Sequence, residues 1–289
     1  MLSKSMQVTI SLFMMILVSG IAASAEPTKV ADLPYATVNG IELKLDLYRP
    51  GENAKPGIVV WVHGGAWRGG SKKDMPLGSL VSAGYVVASV DYRLSPQAPF
   101  PAQVHDIKAA IRFLRAKQRD YGIDASRVVI AGASAGGHLA ALVGVTNSHA
   151  ELEGRVGEYL DQSSRVDAIV SFFGMSNLTT ILSQSTPHGL KVRVPALQLL
   201  LEGQPEEKVE LARLASPVFH VDDRDPPLLL IHGDQDPQAP INQSHELQGR
   251  YEAVKRPCQF VVVHEGKHGG AEFFDDERIK IVREFLEKR

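Results

Sequence analysis

The chain has 289 residues, 44% of them hydrophobic and 22% charged, and a formal net charge of -2. That is enough to bury a large core in one big domain or two modest ones, and it excludes a disordered or fibrous protein. With no Lys/Arg cluster to track a phosphate backbone, the chain offers nucleic acid no partner surface.

Residues 1–25 carry Lys4, the apolar run ISLFMMILVSGIA and the small-residue end ASA. This is the arrangement of a cleaved secretory signal, with the cut expected after Ala25. No second apolar run long enough for a membrane span follows. The expectation is an exported protein, periplasmic or secreted, with no stable membrane association after cleavage.

From 36 to 48, Ile41, Leu43, Leu45 and Leu47 alternate with Glu42, Lys44 and Asp46. Such alternation predicts one strand with a wet face at an antiparallel sheet edge. The later runs are GIVVWVH (57–63), YVVASVDY (85–92), RVVIAG (127–132), DAIVSFFG (167–174), PLLLIHG (227–233) and QFVVVHE (259–265). They are short and continuously apolar, as suits parallel strands covered on both faces. Between them, 101–118 repeats Val104, Ile107, Ile111 and Leu114 at helical spacing with Lys108, Arg112 and Arg115 elsewhere on the wheel. HLAALVGV (138–145) reads as a buried helix, and further helices are expected near 75–83, 242–255 and 273–288. From about 175 to 225 no strand pattern occurs, so this stretch is expected to leave the sheet as a small cap with its own helices. Alternating strands and helices give an α/β protein whose site lies at the carboxyl ends of its strands.

The residues at those ends suggest chemistry. GASAG follows RVVI, so Ser134 falls where a strand turns into a helix and backbone N–H groups point outward. A serine hydroxyl needs a base within reach and a group to orient that base. His268, in the glycine-rich GKHGG after the last strand, is favoured over His264, which is still leaving its strand. PLLLIHG runs into DQDP, so either Asp234 or Asp236 can serve as the orienting acid. HGGAW follows the strand GIVVWV, and its Gly64 and Gly65 can present N–H groups to an oxyanion, with the Ala135 N–H from the serine turn as a third donor. His63 lies within that loop and reads as its brace. Cys258, the single cysteine, excludes an internal disulfide and opens an apolar strand as a packed thiol. No H-E-x-x-H, clustered cysteines, calcium loop, G-x-G-x-x-G or P-loop is present, so neither a metal nor another cofactor is expected.

In this order, HGGAW, DYRLSP, GASAGGH, HGDQDP and GKHGG resemble the α/β-hydrolase fold esterases. The likeness is strongest to the hormone-sensitive-lipase-type carboxylesterases and bacterial acetyl-xylan and feruloyl esterases, and it covers about residue 35 to the end. It implies a mostly parallel eight-stranded sheet flanked by helices, with the cap between the sixth and seventh strands, in one hydrolase domain spanning 26–289. The family's H-G-x-x-D falls on His232 to Asp236 and so selects Asp236 as the acid; its nucleophile falls on Ser134 and its base on His268. Asp91 to Leu94 is a structural signature. One departure is Ala66, where many relatives carry a third glycine. The implied activity is hydrolysis of a small-molecule or polysaccharide-linked carboxylic ester through an acyl-enzyme. An amide hydrolase and a catalytically silent binding protein on the same scaffold are the rival readings. Trp67, Met175 and VPALQLLL either line the substrate pocket or pack in the core.

Overall fold

The computed structural model describes residues 26–51, 54–147 and 149–288. The expected signal at 1–25 lies outside the described residues. Eight strands form one sheet: β1 (Thr28–Val38), β2 (Ile41–Arg49), β3 (Ile58–Val62), β4 (Val86–Val90), β5 (Val128–Ala133), β6 (Ala168–Phe172), β7 (Leu228–Gly233) and β8 (Cys258–Val263). Their order is β1-β2-β4-β3-β5-β6-β7-β8. β2 runs antiparallel to both its neighbours, and every other pairing is parallel.

The helices are α1 (Gly78–Ser82), α2 (Ala102–Ala116), α3 (Ala135–Gly144), α4 (Ala150–Glu153), α5 (Ile181–Gln184), α6 (Pro187–Leu201), α7 (Val209–Leu214), α8 (Asn242–Ala253) and α9 (Asp276–Glu287). They cover both faces of the sheet. Ile58, Val60 and Val62 of β3 join one buried cluster with residues of α2, α3, α6 and α8, while Val59 and Trp61 join another with residues of α1 and α9. Two-sided burial is why β3 to β7 read as continuous apolar runs. β8, expected to be covered on both faces too, is the far edge of the sheet and buries only Val263 fully. Helix ends follow local chemistry: the Asp275 side chain accepts the Arg278 N–H at 2.9 Å to start α9, and Thr186 does the same for Gly189 at 3.1 Å ahead of Pro187 in α6.

Further expectations are corrected. The single strand expected at 36–48 is a hairpin. Asn39 and Gly40, both at positive φ, turn the chain between β1 and β2, so β1 is the edge. The face expected to be wet is only partly so: Asp46 is buried and paired with Lys29 and Lys72, each within 2.9 Å. Likewise Lys108 and Arg112, assigned by periodicity away from the apolar stripe of α2, are buried. Both reach Glu153 of α4, at 3.3 and 2.5 Å. Their stems pack while their charged heads find a partner, which a hydrophobic pattern does not register.

β3 and β5 are neighbours, yet from β3 the chain proceeds first to β4 on one side and then to β5 on the other. This reversal opens a crevice at the carboxyl ends of the two strands. The loop 63–67 and Ser134 sit there together. Between β6 and β7 the chain makes the excursion that holds α5, α6 and α7. It is tied to the rest by the Phe100 N–H, which donates to Leu200 O at 2.8 Å. Met175, Leu197, Leu200 and Leu201 are core residues, as is Trp67.

Candidate active site

Ser134 links β5 to α3 with φ 55° and ψ -120°. A non-glycine residue with positive φ is strained, and the surroundings hold it. Its N–H donates to Phe172 O at 2.9 Å and its carbonyl accepts the His138 N–H at 3.0 Å. The flanking glycines are required by packing: a Cβ on Gly132 would lie 2.3 Å from Gly136 O, and one on Gly136 would lie 2.0 Å from Val62 O. The elbow is pressed against the end of β3, which no larger residue allows.

The structure brings Ser134, His268 and Asp236 into one hydrogen-bonded chain. Ser134 Oγ lies 2.7 Å from His268 Nε2, and His268 Nδ1 lies 2.6 Å from Asp236 Oδ2. Because a carboxylate only accepts, Nδ1 carries the hydrogen and Nε2 is free to accept from the serine hydroxyl. Asp236 Oδ1 accepts the N–H groups of Gln238 and Ala239, both at 2.8 Å. Burial pushes the Asp236 carboxyl upward, but hydrogen bonds from His232 and His268, the His268 charge and the Ala239 N–H overcome it, leaving the group well below the usual carboxylate range. Burial lowers His268, against the opposing pull of Asp236. The ring also meets Phe173 edge-on, with centroids 5.0 Å apart.

Asp234 does other work. It accepts the Glu265 N–H at 2.8 Å and faces His264 at 3.1 Å, closing the turn after β8. His264 is 86% exposed and does not approach the serine.

Gly64 abuts the elbow, since a Cβ there would lie 3.4 Å from Ser134 Cβ. Gly65 takes φ +105°, and a Cβ on it would strike Gly69 O at 2.2 Å. Ala135 opens α3, where its N–H has no acceptor within the helix. Ala66 and Trp67 continue the loop at φ 51° and 59°. The loop is braced by buried rings. His63 stacks on Tyr92 with centroids 4.4 Å apart, and Tyr92 donates to His63 O at 3.0 Å. Trp67 Nε1 donates to His138 Nδ1 at 3.1 Å, and His138 Nε2 donates to Ala215 O at 2.6 Å. Burial holds His138 near a pKa of about 4, so it is neutral as this tautomer demands.

Sequence reasoning gave no role to His232, Phe173 or His138. His232 donates from Nε2 to Ala239 O at 2.8 Å, with Asp236 Oδ2 at 3.3 Å, and accepts from Ser244 at Nδ1 at 2.8 Å. The spacing of HGDQD was the available signal for His232; nothing local marks the other two. Among the described residues, no group of three or more His, Cys, Asp or Glu side chains is placed to hold a metal ion.

The sheet order, the serine elbow and the strand-end positions of Ser134, Asp236 and His268 define an α/β-hydrolase. The chain matches the BD-FAE family model over residues 45–251 and belongs to that family of α/β-hydrolase esterases. It is similar to esterase LipC of Mycobacterium tuberculosis, with 33% identity over 69% of this chain and 49% of that protein. The chain spans about half the length of the curated relatives it matches first. Among solved structures it resembles a truncated carbohydrate esterase from gut microbiota, with TM-score 0.81 and 32% identity over 92% of this chain and 98% of the other. A bifunctional GH43-CE protein of Bacteroides eggerthii is also similar, with TM-score 0.80 and 35% identity over 90% of this chain and 35% of the other.

Proposed function

We propose that the chain hydrolyses carboxylic esters by a serine mechanism. The observation that carries this reading is the unbroken relay from Ser134 Oγ through His268 to Asp236, with contacts of 2.7 and 2.6 Å. His268 Nε2 takes the serine proton as Oγ attacks the ester carbonyl, and Asp236 supports the imidazolium that forms. The N–H groups of Gly64, Gly65 and Ala135 receive the negative charge developing on the carbonyl oxygen, each donor contributing about 3–4 kcal/mol to the barrier reduction. The carbon–oxygen bond to the alcohol then breaks, and the alcohol leaves with the proton from Nε2. Water, deprotonated by the same nitrogen, attacks the acyl-serine and frees the acid.

The substrate class is acetyl or feruloyl esters of polysaccharides, or small soluble esters. Its support is the likeness to proteins described as carbohydrate esterases. The same proposal takes 26–289 as one hydrolase domain with the β6–β7 excursion as its cap, and takes the protein as exported on the composition of residues 1–25. The test is Ser134→Ala assayed on p-nitrophenyl acetate, acetylated xylan and a feruloyl ester, with fluorophosphonate labelling of both forms. Loss of turnover by roughly 10⁴-fold or more and loss of labelling are expected. Full turnover by Ser134→Ala refutes the mechanism, and an inert parent chain on all three esters refutes the substrate class.

A further inference from the structure

Helix α6 carries a charged side chain that the reaction above does not use. Arg193 is 0% exposed. Its Nε donates to the Gln238 carbonyl at 3.1 Å, while Nη1 and Nη2 have no hydrogen-bond partner among the described residues. Burial lowers the guanidinium to about 10, with Asp236 opposing the shift and Arg68 adding to it, so it is charged at neutral pH. A buried cation with two unpaired donor groups is costly, and a methionine of similar size would fill the space without that cost. Its two contacts show what the charge holds.

One contact is to the acid turn. The Gln238 residue that receives Nε also donates its own N–H to Asp236 Oδ1 at 2.8 Å. The other is to the oxyanion loop: the guanidinium lies 5.9 Å from the Trp67 ring centroid. Ala66 and Trp67 occupy two consecutive left-handed conformations, which persist only where the surroundings over-determine them. Trp67 is also held by the His138 ring, by the Ser95 N–H, which donates to Trp67 O at 2.8 Å, and by core packing. A planar guanidinium can donate along its edge while facing an aromatic ring, and an ammonium group cannot match that geometry.

We propose that Arg193 is a positioning residue: from helix α6 it clamps the turn 236–239 and the loop 64–67 in one register, so that relay and oxyanion donors meet the same substrate carbonyl. The proposal rests on the serine esterase reading. The charged and titratable groups facing His268 are Asp236, Arg193 and His232. Of these, Asp236 favours the imidazolium and the other two oppose it.

The test uses Arg193→Met, which keeps volume and loses charge, and Arg193→Lys, which keeps charge and loses the planar fork, both in the full chain. On p-nitrophenyl acetate, kcat of Arg193→Met should fall at least about tenfold while KM stays within about twofold, because the groups are displaced rather than the pocket emptied. The acid limb of kcat/KM should move upward in Arg193→Met, since removal of a nearby positive charge eases protonation of His268, and stay in place in Arg193→Lys. Arg193→Lys should still lose kcat. Fluorophosphonate should label Ser134 in both variants more slowly but to completion, whereas failure of the esterase reading leaves the parent itself unlabelled. Parental kcat and an unmoved acid limb in Arg193→Met overturn the proposal. If that variant does not fold, parental kcat in Arg193→Lys overturns it instead.

Discussion

Replacing Gly136 by alanine tests whether the serine elbow and the loop 63–67 after β3 are one packed unit. A Cβ at 136 would lie 2.0 Å from Val62 O and 2.5 Å from His63 O, both backbone atoms at the end of β3. Carbon and oxygen need about 3.3 Å, so the elbow and the strand must part by roughly 1 Å. No rotamer change can absorb this. Overpacking of this kind costs typically 1–3 kcal/mol, and the upper end applies where only backbone can yield. For a chain of this size about 3 kcal/mol lowers Tm by roughly 6–12 °C. The same separation pulls Ser134 from Gly64, and a 1 Å misplacement costs on the order of 10²-fold in rate. Thermal unfolding and kcat/KM on p-nitrophenyl acetate measure both effects. Gly249→Ala in α8 is the control: nothing lies within 4 Å of its Cβ, and it should gain about 1 kcal/mol from helix propensity. A Gly136→Ala protein with parental Tm and parental kcat/KM would refute the packing argument.

Asp236→Asn should lower kcat by on the order of 10⁴-fold by presenting the wrong tautomer of His268, and its residual activity should show an acid limb moved further down, because Asp236 is what raises His268 against burial. In the parent, that burial places the acid limb of kcat/KM below the ordinary imidazole value, which a pH–rate profile reads directly. Asp225 is raised from 3.8 to about 7 by burial, so over that window the folded state binds the extra proton and stability falls as pH rises. Asp225→Asn should therefore match the parent near the low end of the window and exceed it in urea midpoint at the high end; equal midpoints throughout would contradict the shift. Glu153→Ala leaves the buried Lys108 and Arg112 without their shared carboxylate and should cost about 3 kcal/mol, whereas Glu284→Ala, which breaks an exposed pair with Lys280, should change stability by less than about 0.5 kcal/mol in the same urea titration.

Much of the fold was legible because burial on both sheet faces marks β3 to β7 as short apolar runs. β8 was visible as an apolar run as well, although it lies at the sheet edge and fully buries only Val263. β1 was not, because TKVADLPYATV at the exposed edge alternates poorly and contains Pro34, which an edge strand tolerates. Helix α6 escaped for a related reason. Pro195 sits inside it and Gly189 near its start, so the stretch reads as fragments although Leu197, Leu200 and Leu201 are all buried. Packing of that face, not local propensity, makes it a helix.

Legibility of the site divides by the reach of the interaction. Gly132, Ser134 and Gly136 announce themselves because the bend they make is local, and a local constraint must be written in adjacent residues. His268 follows from position, just beyond the last strand, and position narrows the acid to the pair just beyond β7. By residue type and position Asp234 and Asp236 look alike; the resemblance to the family selects Asp236, and in the structure the turn after β8 claims Asp234 while His268 claims Asp236. His138 and Arg193 give no local sign at all, because what defines each is a partner far along the chain: Trp67 for one, and Gln238 with Trp67 for the other. Side chains that hold a site from outside its motifs are recognisable only as buried polar groups after folding. A substitution scan aimed at those groups in this chain should therefore find losses of activity that no motif foretells.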